Sequence, residues 1–93
     1  MSEMAKDRIP LLAPGCRFST AEGQEDLLLI PEGALRLKGP ARTILELCDG
    51  ERALDEIVQE LRRRYPLEDA ARIETDAVAF VTRMRERGVL EGV

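Results

Sequence analysis

Because the sequence contains no histidine, the side chains to weigh first for catalytic chemistry are the carboxylates and the thiols. Its 93 residues include 18 Asp and Glu side chains and two cysteines, Cys16 and Cys48. A pair of carboxylates can act as general acid and base, and a cysteine can act as a nucleophile when a neighbouring base activates it. The range of possible reactions is therefore narrow.

The spacing of these groups argues against both kinds of chemistry. Most carboxylates lie near an arginine in helical register, as Glu60 does four residues before Arg64, and this pattern is typical of a solvated helix face. The cysteines lack CxxC spacing, and each falls in an apolar pattern where cysteine packs as a small hydrophobic residue. We predict no catalytic residue, no metal site and no cofactor, and hence a protein that is not an enzyme.

The distribution of charge argues against nucleic acid as a partner. The chain has a net charge of −4, and residues 67–93 carry four basic and six acidic groups. A DNA-binding domain normally presents a basic stripe to the phosphates. The one basic run, at 62–64, lies at a predicted helix end, where the helix dipole favours cations.

The length of the chain predicts a single domain. The polar residues 1–8 are expected to form a flexible tail, and residues 9–93 the folded domain. No apolar run is long enough to cross a membrane. Without a signal peptide or a disulfide framework, we place the chain in the reducing cytoplasm.

The elements that must position any functional residues begin with extended segments. Residues 9–14 contain two prolines and predict an irregular arm or an edge strand, and residues 16–20 alternate as a strand does. An apolar run at 27–30 meets a Pro-Glu-Gly turn signal at 31–33, and residues 34–38 alternate so that Leu35 and Leu37 face inward. These patterns predict a three-stranded antiparallel sheet.

From residue 40 onwards the apolar period changes to that of a helix. The first predicted helix begins with Pro40 and ends before Asp49, and the second runs from Leu54 to Tyr65. The third opens at residues 68–69 and ends at Gly88. The predicted architecture is α+β, a small winged-helix-like domain in the order β-β-β-α-α-α.

The strand at 34–38 has no predicted neighbour on its outer side. Such an edge can pair with an incoming extended peptide, although Arg36 and Lys38 would equally protect it from unwanted pairing. Four or five hydrogen bonds at ~1 kcal/mol each fall short of the ~8 kcal/mol that micromolar binding needs. A peptide site would thus need a second, apolar wall, which we assign to the third helix.

The sequence resembles the PqqD family of pyrroloquinoline quinone (PQQ) biosynthesis over residues 8–90. The matching motifs are Pro31-Glu32-Gly33, Asp49-Gly50, Glu56-Ile57, and Gly88 with Leu90. The resemblance implies a peptide chaperone without catalytic residues. It would bind the precursor peptide PqqA as a strand added between the third strand and the third helix, and present it to the radical S-adenosylmethionine enzyme PqqE.

The residues of this groove follow from strand alternation and helical phase. We expect main-chain pairing along Leu35, Arg36, Leu37 and Lys38, and further contacts from Ile73, Asp76, Ala77 and Phe80. Phe80 either contacts the peptide or lies in the core, and the cations at 36 and 38 would suit an acidic leader. The family often has Ser or Thr as a helix cap where this chain has Ala53.

Two alternatives remain open at this stage. The first is a winged-helix DNA-binding regulator, which the fold allows and the charges oppose. The second is an adaptor that dimerises through its edge strand. The expected oligomeric state is a monomer or a weak homodimer, with no membrane partner.

Overall fold

The computed structural model describes residues 6–19 and 26–93 and has an α+β fold. Its elements are β1 (Leu11–Leu12), β2 (Arg17–Phe18), β3 (Leu27–Ile30), β4 (Gly33–Arg36), α1 (Ala41–Leu47), α2 (Leu54–Arg64), α3 (Ala70–Glu86) and β5 (Leu90–Glu91). The predicted succession of three sheet strands and three helices is confirmed. β1 and β5 add a separate two-stranded sheet.

β2, β3 and β4 form an antiparallel sheet with β3 in the middle. The register places Leu28 between Phe18 on one side and Leu35 on the other. Leu28 is completely buried, and the other two side chains pack against the same core. One face of the sheet therefore contributes to the core, while β4 forms one border of the sheet among the described residues.

The hairpin between β3 and β4 turns at Pro31 and Glu32, because Ile30 pairs directly with Gly33. Gly33 has a φ of 150°. Residues with a side chain rarely adopt this backbone conformation, whereas glycine does so readily. The glycine therefore fixes where β4 begins.

Each helix buries one apolar stripe against the sheet and the other helices. α1 begins at Ala41, one residue later than predicted, with Pro40 as its N-cap. α3 begins after Asp69, whose carboxylate accepts hydrogen bonds from the backbone N–H groups of Ala71 and Arg72 at 2.8 and 3.3 Å. Among the described residues, no helix is long and apolar enough to cross a membrane.

The N-terminal arm packs on its own domain. Leu11 and Leu12 pair with Glu91 and Leu90, so the first and last strands form an antiparallel ribbon. The Ala13 N–H donates to the Val89 carbonyl at 2.9 Å and extends this pairing. The sequence predicted an arm or an edge strand here without a partner, and the structure supplies β5 as the partner.

The start of the arm also caps α2. Ala53 occupies the N-cap position and has no side-chain acceptor, so the first N–H groups of α2 need acceptors from elsewhere. The Leu54 N–H donates to the Arg8 carbonyl at 2.8 Å, and the Asp55 N–H to the Lys6 carbonyl at 2.9 Å. Of the predicted tail, residues 6–8 thus lie against α2, and residues 1–5 are outside the described part of the chain.

Candidate functional site

The outer side of β4 carries backbone groups that point away from the sheet. The Leu37 N–H donates to the Asp26 carbonyl at 2.6 Å, and the register pairs Leu35 with Leu28. Because directions alternate along an antiparallel strand, residues 33, 35 and 37 direct their backbone groups towards β3. The N–H and C=O groups of Ala34 and Arg36 therefore face outward, at the border of the sheet.

The beginning of α1 limits this border on one side. The Lys38 carbonyl accepts a hydrogen bond from the Ala41 N–H at 3.1 Å, so it already has a partner in the first turn of the helix. Main-chain pairing was predicted along all of residues 35–38, but only some of these residues direct their backbone groups away from β3. Arg36 and Ala34 offer both groups to an incoming strand, whereas Leu35 and Leu37 use theirs within the sheet.

A groove of about 280 Å³ lies between β4 and the last turns of α3, and we call it the strand–helix groove. Its lining consists of Leu35, Arg36, Leu37, Lys38, Ala41, Phe80, Arg83, Met84 and Arg87. All four predicted strand residues and Phe80 therefore meet here. Phe80 is half-buried and lines the groove while packing against the core.

The strand–helix groove combines an apolar floor with basic side chains. Four cations line it, Arg36 and Lys38 from the strand side and Arg83 and Arg87 from the end of α3, and no carboxylate is among the lining residues. The Arg83 guanidinium lies 5.9 Å from the centre of the Phe80 ring. The groove thus suits an extended segment with apolar and acidic side chains.

Arg83 and Arg87, at the end of α3, were not among the predicted site residues. The net charge of the segment concealed them, because residues 67–93 are acidic as a whole while three of their four cations lie after residue 82. The helical phase could have found them, since 83 and 87 follow Phe80 by three and seven positions.

A second recess, the helical pocket, lies at the other end of α3 and has a volume of about 330 Å³. Its lining consists of Pro40, Ile44, Leu61, Tyr65, Glu68, Asp69, Arg72, Ile73, Asp76 and Ala77. Three predicted contact residues, Ile73, Asp76 and Ala77, are in this pocket and do not line the strand–helix groove. The structure therefore divides the predicted site between two recesses.

The rim of the helical pocket has the opposite charge. It carries three carboxylates and one guanidinium, and the Arg72 Nε lies 3.6 Å from an Asp76 carboxylate oxygen. The Asp69 carboxylate is engaged by backbone N–H groups at the start of α3. The Asp76 side chain remains 66 % exposed, so it is accessible to a ligand.

The thiols are not poised for chemistry. Burial, with a smaller contribution from Asp49, raises the pKa of Cys48 to about 12, and its thiol donates to the Ile44 carbonyl at 3.2 Å. Burial also raises the pKa of Cys16, so neither thiol is a ready nucleophile at neutral pH.

The basic run at residues 62–64 is paired with two carboxylates, those of Glu60 and Glu74. Hydrogen bonds from Arg63 and Arg64 lower the pKa of Glu60 to about 2, and Arg62 binds the Ala70 carbonyl and Glu74. Within residues 6–19 and 26–93, no group of three possible ligand side chains could hold a metal ion.

Comparison with known proteins connects this arrangement to a family. The family model described as "Coenzyme PQQ synthesis protein D (PqqD)" matches residues 25–90. A protein of Azotobacter vinelandii named "PqqA binding protein" is 40 % identical over 92 residues, which is 98 % of each chain. A protein of Methylococcus capsulatus with the same name is 42 % identical over 71 residues, covering 75 % of this chain and 73 % of that one.

A solved structure has the same fold. It is the solution NMR structure of the PqqD truncation of Methylobacterium extorquens PqqCD, described as a functional and stand-alone recognition element for ribosomally synthesized and post-translationally modified peptides. The TM-score is 0.75 at 31 % identity, over 97 % of this chain and 95 % of that one.

Proposed function

The chain belongs to the PqqD family of coenzyme PQQ synthesis proteins, and we propose that it binds the precursor peptide PqqA as a strand added to β4 in the strand–helix groove. The observation that carries this proposal is the border of β4, where Ala34 and Arg36 direct their backbone groups outward beside the groove. The protein is a recognition protein and not an enzyme.

The energetics require both walls of the groove. An antiparallel partner strand could make up to four hydrogen bonds with the N–H and C=O groups of two residues, Ala34 and Arg36. At ~1 kcal/mol each these contribute about 4 kcal/mol, and micromolar binding needs ~8 kcal/mol. The apolar floor and the four cations supply the remainder by covering alternate side chains and attracting carboxylates.

We further propose that the bound peptide is held for the radical S-adenosylmethionine enzyme PqqE, the partner that the family resemblance implies. A protein that binds a substrate peptide but carries no catalytic groups must deliver that peptide to an enzyme. We place this step in the cytoplasm, in keeping with the two free thiols, Cys16 and Cys48.

Calorimetric titration with synthetic PqqA of Azotobacter vinelandii tests the peptide half of the proposal. We expect saturable binding, together with amide chemical-shift changes along residues 34–38 and 80–87. A scrambled peptide of the same composition is the control, because it keeps the charge and loses the order of side chains. Absence of heat and of shift changes with the authentic peptide would refute the proposal.

The enzyme half needs a separate measurement. Sedimentation of the labelled protein with PqqE, with and without PqqA, should show a complex that retains the peptide. If PqqE displaces PqqA instead, delivery in a ternary complex is wrong while peptide binding stands.

The two alternative partners, a second copy of the chain and duplex DNA, can be tested separately. Pairing of two β4 strands about a two-fold axis would bring the Arg36 and Lys38 cations of both copies together, which is unfavourable. We therefore expect sedimentation of the free protein to show a monomer at micromolar concentration. A gel-shift titration with duplex DNA should show no salt-sensitive complex, since carboxylates flank the first half of α3.

A further inference from the structure

We propose that the peptide track continues along α3 from the strand–helix groove into the helical pocket, so that the ligand is bipartite: an acidic, apolar segment in the groove and a basic, apolar segment in the pocket. This inference rests on the proposed function, because it assumes that the groove binds a peptide. It assigns the helical pocket to the same ligand and thereby defines the chemistry of that ligand.

Both recesses share one face of α3. The residues of α3 that line them recur at intervals of three and four positions: Arg72, Ile73, Asp76, Ala77, Phe80, Arg83 and Met84. On a helix this spacing forms one continuous stripe. The wall that α3 contributes therefore runs without interruption from one recess to the other.

The opposite wall is continuous at the same point. Pro40 lines the helical pocket and Ala41, the next residue, lines the strand–helix groove. Across from them, Ala77 and Phe80 are one helical turn apart and belong to the pocket and the groove respectively. Ala41 and Ala77 are buried at this boundary, whereas Pro40 is exposed and Phe80 half-buried, so an extended chain would cross it on the surface, over Pro40 and Phe80.

The distances suit a short peptide. From Ile73 to Met84, α3 rises about 16 Å at ~1.5 Å per residue. An extended peptide advances ~3.3 Å per residue, so about five residues span this distance. One continuous peptide of modest length could therefore reach both recesses.

The opposite charges of the two recesses determine in which orientation a peptide would lie along α3. The groove is lined by four cations, whereas the pocket rim carries Glu68, Asp69 and Asp76 against Arg72. A peptide with carboxylates in one half and Lys or Arg in the other matches this order. The reversed or shifted peptide would place like charges together, so the arrangement also selects against wrong registers.

The experiment compares matched charge reversals. Asp76→Arg changes the rim of the helical pocket, and Glu51→Arg makes the same change in charge in the connection between α1 and α2. That connection follows the end of α1 and precedes α2, whereas the pocket is formed by the start of α1 and the end of α2. Both positions are exposed, so we expect both variants to fold.

Full-length PqqA of Azotobacter vinelandii should bind Asp76→Arg about fivefold more weakly than the parent at low salt, with Glu51→Arg unchanged. PqqA fragments shortened from one end should bind the parent and Asp76→Arg equally well, whereas fragments shortened from the other end should keep the difference in affinity. The fragments that bind both proteins equally should still change the amide chemical shifts of residues 34–38 and should no longer change those of residues 73–77.

Three outcomes would overturn the inference. If Asp76→Arg binds full-length PqqA like Glu51→Arg while Arg83→Glu weakens binding, the track ends at the groove and the proposed function stands. If Asp76→Arg weakens binding of PqqE but not of PqqA, the pocket belongs to the enzyme. If the parent protein does not bind PqqA at all, the proposed function itself fails, and this inference fails with it.

Discussion

The two recesses along α3 differ in the wall that faces the helix. In the strand–helix groove that wall is a strand whose outer backbone groups have no neighbouring strand among the described residues. In the helical pocket it is made of side chains from α1 and α2, whose backbone groups bond within their own helices. The groove can therefore offer main-chain hydrogen bonds as well as side-chain contacts, whereas the pocket offers side-chain contacts alone.

This difference separates affinity from selectivity. Backbone pairing is insensitive to sequence, so the groove would select peptides only through its apolar floor and its cations. In our proposal the pocket adds a requirement for side chains of a particular charge and shape, at a fixed distance along the same helix. We therefore expect changes to β4 to weaken the binding of every peptide, and changes to the helical pocket to alter which peptide is preferred.

Replacing Ala34 with proline should give the largest effect. Its N–H points away from β3, so proline removes a donor of the groove without removing a bond of the sheet, and its ring obstructs the incoming strand. We expect PqqA affinity to fall at least ~30-fold, about 2 kcal/mol, by calorimetry.

Ala34→Thr is the matched control, because it also adds bulk at this exposed position and retains the N–H. Equal binding by the proline variant and the parent would show that β4 does not pair with the peptide.

Gly33→Ala should lower the free energy of unfolding by about 2 kcal/mol, because the φ of 150° is unfavourable for any residue with a Cβ. Urea denaturation measures this change. Glu32→Ala, at the exposed neighbouring turn position, should change stability by less than ~0.5 kcal/mol. If both substitutions have the same small effect, the hairpin does not depend on glycine to set the border of the groove.

Arg83→Glu should weaken PqqA binding about tenfold at low salt, since it places an anion where the groove is basic. The control is Arg85→Glu, which lies two positions away on α3 and does not line the groove. Calorimetry at two salt concentrations should show that the difference between the variants shrinks as salt rises. Equal losses in both variants would assign the effect to net charge and not to the groove.

Tyr65→Phe should have the smallest effect. Its hydroxyl lies 3.5 Å from the Thr43 hydroxyl, at the limit of a hydrogen bond, and its ring contributes the shape of the helical pocket. We expect changes below ~0.5 kcal/mol in stability and below about twofold in PqqA affinity. A loss above ~1 kcal/mol in binding would mean that the pocket, like the groove, relies on hydrogen bonding.

The parts of the fold that the sequence predicted are those encoded locally. The Pro-Glu-Gly turn, the aspartate at the start of α3 and the helical stripes each arise from residues that are close in sequence. The pairing of β1 with β5 joins opposite ends of the chain through backbone groups. Strands of two residues are too short for a side-chain pattern, so the sequence does not indicate which strands pair.

The candidate site shows the same limit. Alternation identified four residues that line the strand side of the groove, and helical phase identified the face of α3 that lines the two recesses. The sequence could not show that the groove lies against the last turns of α3, because the placement of a helix across a sheet depends on distant packing. For that reason Ile73, Asp76 and Ala77 were assigned to the groove and line the pocket instead, while Arg83 and Arg87 were not predicted.

The N-terminal arm has a consequence for hydrogen exchange. The amides of Ala13, Gly50, Leu54 and Asp55 are far apart in sequence, yet each is bonded to the arm or, for Ala13, joins the arm to the residue before β5. A single local opening that detaches residues 6–13 would expose all four at once. They should therefore exchange with one common protection factor, as a cooperative unit that no single helix or strand defines.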